Sequence, residues 1–141
     1  MGWVMITPDN FRADPYGWLT NQLGHIMLGL IMVYAVCVAW WAVSGELPYR
    51  LHVGVGLAIF YIGVIELWIQ GWRGGDTIED SVFTLGYGAA APLCVFQEVA
   101  PDAGQFTGRI ADLTPFFYIA GIHLLLGVTT RIYLGKSSSK E

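Results

Sequence analysis

The residues of this chain that could do chemistry are ionisable and amide side chains set inside otherwise apolar runs. Glu66 stands in FYIGVIELWIQ with Gln70 four residues on, and Asn21 and His25 stand four apart in LTNQLGHIMLG. That spacing places each pair on one face of a helix. An acid inside a stretch that reads as membrane-spanning is costly without partners or water, which makes Glu66 a candidate functional group by default. After a break at Arg73-Gly74-Gly75 come three more acids, Asp76, Glu79 and Asp80. A His/Glu/Asp group of this kind can perform acid–base work on a lipid headgroup or bind a divalent cation. The plainer alternative is glue between helices, with Glu66 satisfied by His25 or Arg73. On that view the acids at 76, 79 and 80 cap a helix and face solvent.

The elements that must position these groups are apolar helices. The chain is 55% hydrophobic and 13% charged, too little polar surface for a soluble domain of its 141 residues. The expected fold class is therefore all-α, a polytopic membrane bundle of about four transmembrane helices. An interfacial segment, 1–18, precedes it, with Pro8 and Pro15 discouraging a continuous helix and Trp3, Phe11, Tyr16 and Trp18 suited to the headgroup region. The transmembrane domain covers 19–134. Its spans are predicted at 19–43 with Thr20 as N-cap, at about 50–71, at 81–97 with small residues before Pro92, and at about 113–134 with Asp112 or Thr114 at its cap. A three-span bundle with a re-entrant third run is the alternative. A polar loop covers 98–112, and a cytoplasmic tail, 135–141, is predicted to be solvated and disordered.

The hairpin at 44–48 makes the first two spans antiparallel. Four crossings gather Arg12, Arg73, Arg131, Lys136 and Lys140 on one side, against Arg50 and Arg109 on the other. The positive-inside bias then places both termini and the 72–80 turn in the cytoplasm. Counting from Leu19 and Gly71 puts His25 and Glu66 about 8–9 Å from that face, which predicts a direct pair between them. The predicted polar cluster is Asn21, His25, Glu66, Gln70, Arg73, Asp76, Glu79 and Asp80.

A net charge of −4 without a basic patch argues against nucleic acid as a partner. Membrane lipids are the expected partners, with a homo-oligomer as a further option. Cys37 and Cys94 lie in apolar runs and read as buried inert thiols. No phosphate-binding loop, zinc-protease, nucleophile-elbow or paired-cysteine motif occurs, so no catalytic motif is recognisable.

Two further readings belong to other classes. One is a haem or quinone anchor, because His25 and His123 lie on separate spans and two imidazoles across a bundle can ligate haem iron. Their depths differ by about 8 Å, which opposes it, and no cofactor is predicted. The other is a holin-type pore-former of phage lysis, with helix glycines such as Gly24, Gly29, Gly86 and Gly88 available for oligomer contacts.

The order of these elements resembles the VanZ-like group of small bacterial membrane proteins. LGHIMLG supplies the early His25, VIELWIQ supplies Glu66 and Gln70, and RGGDTIEDSVFTLG supplies Asp80 and Gly86. The resemblance covers about residues 20–91. Thr84 stands where the group tends to place an Asn four residues after the loop Asp, and the spacing to the Gly is one short. The resemblance implies an envelope-associated role in the bacterial inner membrane, linked in one branch to glycopeptide-antibiotic resistance.

Overall fold

A computed structural model describes residues 11, 13–96 and 114–138 of the chain. They form four helical rods: α1 (Pro15–Ser44), α2 (Arg50–Ile69), α3 (75–96) and α4 (Thr114–Ser138). No strand occurs among the described residues. The predicted all-α bundle is what the chain forms. Three rods, Pro15–Ser44, Arg50–Ile69 and Thr114–Lys136, are long and apolar enough to cross a membrane. The rod 75–96 is comparable in length to α2 but opens on its three acids. Large apolar side chains cover the outside of the bundle, among them Leu28, Ile31, Val55, Ile59, Ile122 and Leu125. Such a surface suits hydrocarbon rather than water.

The first helix begins four residues before the predicted Leu19, for a local reason. Asp14 rather than Thr20 is its N-cap, its Oδ1 accepting from the amides of Tyr16 at 3.1 Å and Gly17 at 2.9 Å. Pro15 fills the first helical position, where its missing N–H costs nothing. Trp18, expected at the interface, is consequently inside the bundle and 1% exposed. The helix stops at Gly45, whose φ of +74° a side chain would disfavour and whose N–H bonds the Trp41 carbonyl at 2.8 Å.

The other boundaries move as well. α2 ends at Ile69, two residues before the prediction, and α3 starts at Gly75, so its acids lie within the helix. α3 continues through Pro92 to Phe96. α4 runs to Ser138, so most of the tail predicted to be disordered is helical. The interfacial residue Trp3, the cation Arg12, the loop 98–112 with its Arg109, Asp112, and Lys140 lie outside the described residues, as does the side chain of Cys94.

α1 packs chiefly on α3, and more lightly on α4 and α2. The α1–α3 approach is closest where two glycines cross. A Cβ on Gly29 would fall on the Thr84 carbonyl oxygen, and one on Gly88 would fall on the Ile26 carbonyl oxygen. Only a hydrogen at those positions lets the two backbones meet. Beyond the crossing, Val33, Cys37, Val53, Leu57 and Ala89 form a buried apolar cluster. At the opposite end Gly135 lies beside Ala13, so the described ends of α4 and α1 share one end of the bundle.

Both α2 and α3 depart from ordinary α-helical winding. Over Ile59–Ile69 and Val82–Ala89 the backbone adopts wider π turns, as in the bond from Gln70 N to Ile65 O at 2.9 Å. Stretches of this kind recur at functional sites.

Candidate functional site

Below the glycine crossing the bundle interior turns polar. Gln22, Glu66, Thr77, Asp80 and Thr84 are all buried there. The centre is His25. Its Nε2 lies 3.2 Å from Asp80 Oδ1 on α3, and its Nδ1 lies 3.0 Å from Thr84 Oγ1 and 3.1 Å from the Tyr61 hydroxyl on α2. With Asp80 ionised, Nε2–H donates to the carboxylate, and Nδ1 accepts from one of the two hydroxyls. Gln22 Nε2 donates to the same Asp80 oxygen at 3.3 Å. One imidazole thus joins three helices.

The sequence supports this assembly at short range. Gln22 and His25 are three apart on α1, and Asp80 and Thr84 four apart on α3, so each pair shares a helix face. Tyr61 and Glu66 are five apart, which on a regular α-helix turns them about 140° from each other. The wider turns of Ile59–Ile69 reduce that angle, and the Tyr61 hydroxyl is a neighbour of Glu66 as well as of Thr84.

Glu66 itself is the exception in the network. It is 1% exposed, and neither carboxylate oxygen has a hydrogen-bond partner among the described residues. The Oε1 of Gln22 is likewise unpartnered. The predicted direct pair between His25 and Glu66 is not formed: His25 is held by Asp80, Thr84 and Tyr61. The depths explain the correction. His25 lies ten residues into α1, counted from Pro15, while Glu66 lies three residues from Ile69 at the end of α2. Tyr61, not Glu66, therefore comes level with His25. Pairing of Glu66 with Arg73 is not observed either, since Arg73 is exposed beyond the helix end.

The rest of the predicted cluster separates into other roles. Glu79 Oε2 accepts from the Trp18 indole at 3.1 Å and from Arg131 Nη2 at 3.2 Å. The Arg131 guanidinium lies 4.1 Å above the Trp18 ring, a cation–π contact, and the ring itself rests on Gly127. This ties α4 to α1 and α3. The backbone N–H of Arg73 donates to Thr77 Oγ1 at 3.1 Å, which fixes the turn into α3. Asp76, in the first turn of α3 ahead of the apolar run, has its carboxyl pushed up from the ordinary range by burial, with Asp80 and Glu79 adding repulsion. Asn21 is half-buried and lines an open groove beside Gly24 and His25. Gln70 is half-buried after the end of α2, without a hydrogen bond that joins it to His25.

Six residues of the assembly are not placed in it by the sequence: Trp18, Gln22, Tyr61, Thr77, Thr84 and Arg131. A usable signal exists for Gln22, from its three-residue spacing to His25, and for Thr84, from its four-residue spacing to Asp80. Tyr61 has none, because its placement depends on the π turns.

His123 sits in an aromatic group on the α4 side. Its Nδ1 is 3.2 Å from the Tyr87 hydroxyl, and its ring lies against Phe83 with centroids 4.7 Å apart. Both ring nitrogens of His25 already engage protein groups, so neither is presented to an axial position opposite His123. Among the described residues no three His, Cys, Asp or Glu side chains are grouped so as to hold a metal ion.

The chain matches no protein-family model, no curated protein and no solved structure.

Proposed function

We propose that the chain is a multi-pass protein of the bacterial inner membrane, with both termini cytoplasmic and an envelope-associated role of the VanZ-like kind. The His25-centred network is its functional site. The observation that carries this reading is the meeting of His25 and Asp80 at 3.2 Å. Those two residues come from separate parts of the VanZ-like pattern, 55 positions apart in sequence. Thr84, in place of the group's Asn, keeps a polar atom against the same imidazole. The cytoplasmic assignment is supported by Arg73, Arg131 and Lys136, which belong to the end of the bundle nearest the network.

A purely structural role for these residues would need fewer polar groups than are buried here. Hydrogen bonds between membrane helices contribute only about 0.6 kcal/mol on average, so small-residue packing holds a bundle more cheaply. The pore-forming alternative receives no support from Gly29 and Gly88, which are spent on a crossing within one chain.

The test is resistance. A susceptible bacterium expressing the chain should need severalfold more glycopeptide antibiotic to stop its growth, and His25→Ala and Asp80→Asn should abolish the gain while still accumulating in the membrane. Resistance unchanged by both substitutions, or no resistance from the natural sequence, would remove the proposal.

A further inference from the structure

We infer that Glu66 is a proton-binding site, holding an exchangeable proton that passes to Asp80 through Tyr61 and His25. The starting point is an imbalance. Among the described residues the bundle interior holds two buried carboxyl groups, Glu66 and Asp80, and the base beside them, His25, is taken by Asp80. Arg131 is engaged by Glu79, and Arg73 is exposed beyond the end of α2. Among the described residues Glu66 keeps two oxygens without a donor, and Gln22 keeps a third unfilled acceptor. An isolated carboxylate in such surroundings is far too costly to persist. A positive charge must accompany it.

Space decides which one. Glu66 is 1% exposed, and a metal ion or an ammonium group would need both room and further ligands. A proton needs neither. It also converts one Glu66 oxygen from acceptor to donor, with the Tyr61 hydroxyl as a neighbouring acceptor. The titratable and charged groups around the site are Tyr61 on its own helix, His25 on α1, and Asp80 on α3. Glu79 and Asp76 stand in the turn before Asp80, and Arg73 in the turn after α2.

The transfer balances. Glu66 gives its proton to the Tyr61 oxygen as Tyr61 gives its own to His25 Nδ1, and His25 Nε2 gives its proton to Asp80 Oδ1. Glu66 ends as a carboxylate, Asp80 as a carboxylic acid, and Tyr61 and His25 end neutral, with the imidazole in its other tautomer. The formed links are Tyr61 hydroxyl to Nδ1 at 3.1 Å and Nε2 to Oδ1 at 3.2 Å. The Glu66 carboxyl neighbours the Tyr61 hydroxyl without bonding to it and has to turn onto it before the proton moves. The inference concerns the same network as the proposed function, but its test does not depend on resistance.

Infrared spectra of the purified full chain in lipid bilayers provide that test. A carboxylic-acid C=O band should be present at neutral pH, shift when glutamate is isotope-labelled, and disappear in Glu66→Gln. The label needs no substitution, so the result stands even if that variant fails to fold. Among the described residues Glu66 is the one fully buried glutamate, which makes the label selective. Tyr61→Phe should leave the band in place and slow its exchange on transfer to heavy water. Absence of the band, a shift with labelled aspartate instead, or loss of the band on adding sodium or ammonium ions would each overturn the inference.

Discussion

The two halves of the α1–α3 interface solve the same problem in opposite ways. Beyond the Gly29–Gly88 crossing the helices meet through Val33, Cys37 and Ala89, with Val53 and Leu57 of α2 completing an apolar cluster. Below it they meet through His25, Asp80, Thr84 and Gln22. In a bilayer the apolar half gains little from burial, because lipid chains are as apolar as the side chains they replace, so close packing must hold it. The polar half pays desolvation that only completed hydrogen bonds repay. One half therefore depends on shape and the other on partner identity.

The largest expected effect falls on shape. Gly29→Ala drives a methyl group onto the Thr84 carbonyl oxygen and should cost about 1–3 kcal/mol of stability, the usual range for overpacking. Gly56→Ala, whose added methyl meets nothing within 4 Å, is the matched control and should be neutral or slightly stabilising. Thermal unfolding in detergent measures both. Equal effects from the two would mean that the crossing is not tight.

The smallest expected effect lies at the rim, at Asp76. Its folded carboxyl is raised above its unfolded value, so the wild-type chain loses this contribution to stability as pH rises through the ordinary carboxylate range. Asp76→Asn does not titrate. It should match wild type below about pH 4 and be more stable at neutral pH, by a fraction of 1 kcal/mol because the group is partly solvated. A variant less stable than wild type at neutral pH would show that helix-dipole stabilisation outweighs the burial cost.

Much of this architecture was legible in the sequence. Apolar run lengths and the 44–48 turn predict four spans, and the structure has four rods, three of them long and apolar enough to cross a membrane; the acid in the second run marks a polar interior. The pairing within the site was not legible, for two physical reasons. Asp14 caps α1 six residues ahead of Thr20, so the helix starts four residues before Leu19, which deepens His25 relative to Glu66. The π turns of α2 then change which residues share a face, so that Tyr61 rather than Glu66 meets the imidazole. Counting at 3.6 residues per turn from an assumed membrane edge carries both errors. Trp18 and Arg131 were missed because their contacts, with Glu79 and each other, join positions far apart in sequence.

The central claim is that His25 and Asp80 act as one unit, with Glu66 outside that pair. A double-mutant cycle on His25→Ala and Asp80→Ala, read by thermal stability in lipid-containing detergent, tests it most directly, with a second cycle on His25→Ala and Glu66→Ala for comparison. The first cycle should show a coupling of about 1–2 kcal/mol, above the ~0.6 kcal/mol average for membrane hydrogen bonds because the pair is charge-assisted. The double variant should cost less than the sum of the singles, since removing the second partner no longer strands a buried group. The Glu66 cycle should couple more weakly, through Tyr61 alone. Additive costs for His25 and Asp80, or stronger coupling of His25 to Glu66 than to Asp80, would contradict the account.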